Sequence, residues 1–126
     1  MTQNFHLSEI ITSLSIDGVV KSPTIDQYKY AIDLYSPINA SLYKDAVINI
    51  PSKVIVNVPA GHIAQLIPAG KLAKKAGVVC PASLIPHGYY AEITLSFLNT
   101  TTDVLDVKIN DHVAQLIILP AAGIMY

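Results

Sequence analysis

The chain has 126 residues, of which 52% are hydrophobic and 13% charged, with a formal net charge of -1. That composition supports one domain with a sizeable core and argues against long disordered segments and against nucleic acid as the main partner. No apolar run approaches the roughly 18–20 residues that span a bilayer, and MTQNFHLSEI lacks the basic and apolar regions of a signal peptide, so an intracellular, non-membrane protein is expected. A mean hydropathy of +0.45 is high for a small monomer and points to apolar surface spent in a subunit interface.

Taken in order, the first residues to show a pattern are Ile10, Ile11, Leu14 and Ile16, read as extended up to Val19-Val20, with a turn at Ser22-Pro23-Thr24. YKYAIDLY (28–35) is rich in strand formers, and its alternation sets Asp33 away from the apolar stripe. Two short strands are expected at Asp45–Ile50 and Lys53–Val58, separated by a turn at Pro51-Ser52. In the second, Val54, Val56 and Val58 share one face. Pro59-Ala60-Gly61 turns the chain into an organising stretch that runs to Leu95 and holds four of the eight prolines and four of the six glycines. It reads as strand, turn, a short helix over 71–76 stopped by Gly77, strand, sharp hairpin, strand. A strand over Glu92–Leu98, a polar loop over Asn99–Asp103, an alternating Val104–Ile109, a turn at Asn110-Asp111 and a buried strand over His112–Leu119 complete the chain. Short strands every 8–12 residues mean an all-β barrel or sandwich in a single domain over 1–126.

One sequence echo is present: His62-Ile63-Ala64-Gln65-Leu66-Ile67 recurs as His112-Val113-Ala114-Gln115-Leu116-Ile117, identical at five of six positions. It fits two strands in similar environments or a pseudo-symmetric β-fold. The single cysteine, Cys80, sits among Val78, Val79 and Pro81 and reads as a buried structural thiol.

Four motifs in order carry a family resemblance. Ile32-Asp33-Leu34-Tyr35-Ser36 looks like a strand ending in Asp-Leu-Tyr-Ser. Pro68-Ala69-Gly70-Lys71 stands where an Arg-Ser-Gly turn would open a short helix. Ser83-Leu84-Ile85-Pro86-His87-Gly88-Tyr89-Tyr90-Ala91 looks like a hairpin of the type Gly-Val-Ile-Asp-x-x-Tyr-x-Gly, and Asn110-Asp111-His112-Val113-Ala114-Gln115-Leu116 looks like Gly-Asp-Arg-Ile-Ala-Gln-Leu. This set resembles the trimeric deoxyuridine triphosphate pyrophosphatases (dUTPases) over roughly Tyr30 to Leu119. The resemblance implies a distorted, jelly-roll-like β-barrel (a β-clip) and a homotrimer with sites at subunit interfaces. It also implies magnesium-dependent cleavage of the α–β phosphate link, with an aspartate activating water and a tyrosine packed on the deoxyribose.

The departures bear on chemistry. Pro86 stands at the water-activating aspartate and has neither an acid–base group nor a backbone N–H. Ala69 and Gly70 replace the phosphate-binding arginine and serine, Gln65 and His112 stand at two further arginine positions, and the chain contains no arginine. Arginine's bidentate fork is the favoured grip on phosphate, and Lys71 offers only a point charge. The glycine-rich C-terminal motif is also missing, the sequence closing PAAGIMY.

The positions of the degenerate nucleotide site are therefore Asp33, Ala69, Gly70, Lys71, Ser83, Pro86, Tyr89, Asp111 and Gln115. For Asp33 two readings stand: magnesium contact through water, or a strand-end carboxylate taking hydrogen bonds. Asp111 reads as a turn residue, and Gln115 needs a hydrogen-bond partner. His87 and Glu92 are off the apex, where a replacement base would sit. Ala69, Gly70 and Pro86 all fall in turns expected to tolerate polar side chains. No metal or cofactor is expected, except magnesium at Asp33 if enzymatic activity survives. The expected protein is a non-catalytic homotrimer with a structural or protein-binding role and an unidentified protein partner, of a kind suited to a viral, virion-associated copy. The alternatives are a divergent dUTP pyrophosphatase and a deoxynucleotide-binding sensor.

Overall fold

A computed structural model describes residues 7–13, 23–25, 31–74, 77–81 and 83–120. Leu14–Val20, Tyr28–Tyr30, Lys75-Ala76, the C-terminal residues 121–126 and His6 lie outside the described residues. The fold is all-β, as expected. A one-turn helix α1 (Leu7–Ile10) precedes β1 (Ile11–Ser13), so that Ile10, read as extended, instead closes the helix. The strands β2 (Thr24–Ile25), β3 (Ala31–Tyr35), β4 (Ala40–Leu42), β5 (Val47–Asn57) and β6 (His62–Pro68) follow. After a 3-10 turn at Gly70–Ala73 come β7 (Val78–Val79), β8 (Leu84–Ile85), β9 (Tyr90–Asn99), β10 (Leu105–Val107) and β11 (His112–Pro120).

Among the described residues three sheets form: β1-β5-β9-β7, β2-β3-β11-β6-β8 and the pair β10-β4. Every pairing is antiparallel. The two larger sheets turn their apolar faces to one core. Ile50, Val54, Val56, Ile93, Leu95 and Phe97 come from one side, and Ile32, Leu34, Ala64, Leu66, Ala114 and Leu116 from the other. Burying an aliphatic or aromatic side chain of this kind contributes about 1.5–3 kcal/mol each before entropy is counted.

Three expectations are corrected. The two strands around Pro51-Ser52 are one eleven-residue strand, β5, whose register against β9 shifts between Pro51 and Ile55. The irregularity is a bulge rather than a turn. Buried Ser52 folds its hydroxyl onto Val54, donating to the carbonyl at 3.2 Å and accepting from the N–H at 3.1 Å. Lys53 takes a positive φ of 60° and donates its N–H to Glu92 Oε2 at 3.1 Å. A proline costs least where the ladder is already broken. Secondly, the helix expected over 71–76 is a single 3-10 turn ending at Ala73, well before Gly77. Thirdly, Asn99 is not a loop residue. It closes β9 fully buried, donating from Nδ2 to Leu42 O (3.0 Å) and Asp103 O (2.8 Å). Its Oδ1 accepts from Thr101 N–H (2.9 Å) and Thr101 Oγ1 (2.6 Å), so the polar loop is wound around it.

The sequence echo has a structural meaning. Its two copies are the adjacent strands β6 and β11, paired about a Leu66–Leu116 centre, so that Gln65 faces Ile117 and Gln115 faces Ile67. The two copies are therefore related by a local two-fold through that leucine pair.

Candidate functional site

The site positions fall into two groups. The first lies along the seam of β3 and β11. Asp33 and Gln115 are a directly opposed cross-strand pair, and Gln115 Nε2 donates to Asp33 Oδ1 at 2.9 Å. Asp33 thus takes a side-chain hydrogen bond at the strand end, and Gln115 has the partner it needs.

The residue that sequence reasoning left off the site is His112. Its Nε2 lies 3.0 Å from the same Asp33 Oδ1. Simple alternation would put His112 and Gln115, three residues apart, on opposite faces of β11. A register shift against β3 between His112 and Ala114 changes the parity. Val113 and Ala114 both turn inward and are fully buried, whereas His112 and Gln115 both stay half-exposed on the outer face, with Asp33. One extra residue in a strand re-aims side chains in this way. The His112 ring also packs on Tyr35, centroids 5.5 Å apart and planes at 46°, and the Tyr35 hydroxyl hydrogen-bonds Thr24 Oγ1 at 2.8 Å.

The bulge depends on the turn before it. Ala69 N–H donates to Val113 O at 2.9 Å. Gly70 has φ +57°, and a Cβ there would lie 2.3 Å from the backbone oxygen of His112. Only glycine lets the chain pass that close. Ala69 is 5% exposed. The expectation that these two positions tolerate polar side chains is therefore wrong: one is buried and the other is against backbone.

Lys71 and Asp111 complete this group. Lys71 Nζ sits 3.0 Å from Asp111 Oδ2 and donates to Asp106 O at 2.8 Å. Lys108 N–H donates to the same Asp111 oxygen at 2.8 Å. That backbone bond first, and Lys71 second, hold the Asp111 carboxyl below its usual range. Asp111 is the turn residue it was read as, following Asn110 at φ 71°. Lys71 is thus engaged by a carboxylate and a carbonyl of its own chain.

The second group is the β8–β9 hairpin. Pro86 is exposed at its apex, and the turn passes through Gly88 at φ +80°. Tyr89 is half-buried against the core and donates its hydroxyl to Glu92 O at 3.0 Å. Ser83 contributes its carbonyl, which accepts Leu66 N–H at 2.7 Å. His87 and Tyr90 are exposed, Tyr90 to 68%, and of the three neighbouring ring side chains only Tyr89 lies against the space beneath the hairpin. A cleft of about 180 Å³ remains there, lined by Leu66, Leu84, Ile85, Pro86, Tyr89, Ile93 and Thr94. Glu92 is engaged with Lys53 and is not poised as a base. Cys80, read as a buried thiol, is instead half-buried, packed against the core, and desolvation pushes its thiol up to about 11.

A single chain holds the two groups apart. The strand order β3-β11-β6-β8 separates Asp33 from the hairpin by three strand spacings, roughly 14 Å at about 4.8 Å each. Among the described residues no cluster of three His, Cys, Asp or Glu side chains is placed to hold a metal, and no helix is long and apolar enough to cross a membrane.

Comparison with known proteins agrees with the motifs. The chain is 31% identical over 80 residues to a deoxyuridine 5'-triphosphate nucleotidohydrolase of Leifsonia xyli, covering 61% of this chain and 53% of that one. It is 27% identical over 103 residues to the same-named protein of Wolbachia pipientis wMel, covering 75% and 65%. It thus spans between half and two thirds of these relatives' length. Among solved structures, the Staphylococcus bacteriophage 80alpha dUTPase superposes with a TM-score of 0.76 at 17% identity, over 92% of both chains. A mutant dUTPase of phage phi11, described for its coordination of a structural Mg(II) ion, gives 0.73 at 17% identity, over 92% of both chains. The dUTPase family profile matches residues 20–125, and the chain belongs to the dUTPase family.

Proposed function

We propose that this chain is a non-catalytic member of its family, a homotrimer that serves a structural or protein-binding role. The observation that carries the reading is Pro86 at the hairpin apex, where the family motif has the residue that activates water. A positioned general base is worth roughly 10²–10⁴ in rate, and proline can supply neither proton transfer nor a backbone donor. The phosphate side is equally bare: the chain has no arginine, and Lys71 is held by Asp111 and Asp106. The separation of the hairpin from Asp33 supports the trimer, because a neighbouring subunit is what would bring the two groups together. The exposed Leu84 (64%) and Tyr90 (68%) flanking the hairpin suit contact with another protein. A viral, virion-associated role fits such a copy.

The test is release of pyrophosphate from dUTP with magnesium, followed continuously at high protein concentration. No turnover above the uncatalysed rate is expected, and saturable turnover would reject the reading in favour of a divergent pyrophosphatase. One observation favours a second reading, that of a deoxynucleotide-binding sensor: the cleft under the hairpin is open. Calorimetric titration with deoxyuridine and dUTP separates the two, since the main reading expects Kd no tighter than about 1 mM, near -4 kcal/mol.

A further inference from the structure

We propose that His112 has taken the place of a metal ion at Asp33, so that the carboxylate is partnered from within the chain and binds no divalent cation. Asp33 Oδ1 already faces two nitrogens, Gln115 Nε2, which donates to it at 2.9 Å, and His112 Nε2 at 3.0 Å. The His112 nitrogen is shielded from solvent and makes no well-aligned hydrogen bond despite that distance, so the contact to Asp33 is a bent one. A ring nitrogen shielded from solvent has no water to turn to, and the Asp33 carboxylate lies within reach of it.

Both nitrogens are fixed by the fold. Gln115 is in register with Asp33. His112 is re-aimed by the Val113 irregularity and stacked on Tyr35. The charged and titratable groups around the ring are Asp33 and Tyr35 on β3, Asp111 beside it in the chain, and Lys71 on the 3-10 turn.

Magnesium demands six oxygen ligands in near-octahedral geometry at about 2.0–2.1 Å and gives up its waters reluctantly. Reaching Oδ1, directly or through a metal-bound water, would mean displacing the nitrogens that face it, and the other carboxylate oxygen alone supplies one contact. Asp111 offers no help, because its Oδ2 is held by Lys108 N–H and Lys71. The donor set therefore fits a closed polar cross-link between β3 and β11 and not a metal. This inference stands apart from the proposed function: a chain without turnover could still bind magnesium here.

Manganese(II) is the probe, read by paramagnetic broadening of the Gln115 side-chain amide in NMR spectra of the whole protein. In the wild type the expected broadening is the same as in Asp33→Asn, meaning that Asp33 recruits no ion. His112→Ala should leave only the neutral Gln115 amide on Oδ1, which a hydrated cation can displace, and produce broadening that Asp33→Asn in the same background abolishes. Wild-type broadening that disappears in Asp33→Asn would overturn the proposal, and so would a folded His112→Ala that recruits no manganese. Should His112→Ala not fold, the wild type against Asp33→Asn decides the matter alone.

Discussion

Replacing Gly70 tests the link between the 3-10 turn and the site most directly. Two costs combine there. At φ +57° any side chain sits in the left-handed region, at about 1–2 kcal/mol. In addition, a Cβ would lie 2.3 Å from the His112 backbone oxygen, more than an ångström inside ordinary contact. The obstacle is backbone, so relief requires β11 or the turn to move, a cost of about 1–3 kcal/mol for such overpacking. Together they predict about 2–5 kcal/mol for Gly70→Ala and for Gly70→Ser alike, because the clash begins at Cβ. Gly61 is the control: its φ is +76°, yet nothing lies within 4 Å of its Cβ position. Gly61→Ala should therefore cost about 1–2 kcal/mol, the conformational part alone. Urea unfolding midpoints at constant slope give both values. If Gly70→Ala cost no more than Gly61→Ala, the close approach to His112 would not be real and the account of the bulge would fail. The outcome also bears on function. Serine is the residue that the family motif has at this position, so putting it back should damage the seam rather than restore activity.

Further outcomes follow from the same geometry. Pro86→Asp alone should leave dUTP hydrolysis at background, since a missing transition-state arginine by itself can cost 10³–10⁵; measurable turnover would show that the phosphate grip had survived. Asn99→Ala removes four hydrogen bonds from a fully buried side chain and should cost about 2–4 kcal/mol in chemical denaturation. Because the Asp111 carboxyl is held below its usual range, its contribution to stability is present above that range and is lost as pH falls through the lowered value; Asp111→Asn should flatten this acid limb in pH-dependent melting. Light scattering at micromolar concentration should give three times 13.6 kDa, and a clean monomer would remove the trimer from the proposal. At pH 8 Cys80, with its thiol pushed up to about 11, should react with a thiol-specific dye far more slowly than free cysteine, and prompt labelling would contradict its burial.

The fold class was readable because its evidence is periodic. Val54, Val56 and Val58 alternate with Ile55 and Asn57 in sequence, and in the structure those valines are buried while the intervening residues are half-exposed. What could not be read were breaks in the period. Pro51-Ser52 carries the marks of a turn, but Ser52 spends its hydroxyl on Val54 and lets β5 continue. The helical propensity of Lys71–Ala76 was real but short, and a helix of one or two turns pays its nucleation cost with few bonds to recover it. Gly70 at φ +57° and Gly77 at φ +109° bracket the segment, leaving the 3-10 turn of Gly70–Ala73.

At the site the same limit decides which residues could be named. Asp33, Asp111 and Gln115 were found because they match motif positions. His112 was set aside because it matched a motif only by failing it, and strict alternation would have sent it to the opposite face from Gln115. The clue lay in Val113-Ala114, two adjacent apolar residues flanked by polar ones at 112 and 115, a 2-and-2 spacing that a straight strand does not produce. The first copy of the echo has the same spacing, His62-Ile63-Ala64-Gln65, yet β6 pairs with β11 without a register shift through that stretch, and Ile63 stays half-exposed. The difference between the copies is therefore not local. Ala69 N–H and the bare Cα of Gly70 reach the second copy at Val113 and His112 and hold its extra residue inward. A glycine in the turn decides the face on which a histidine in β11 appears, and with it which residue meets Asp33.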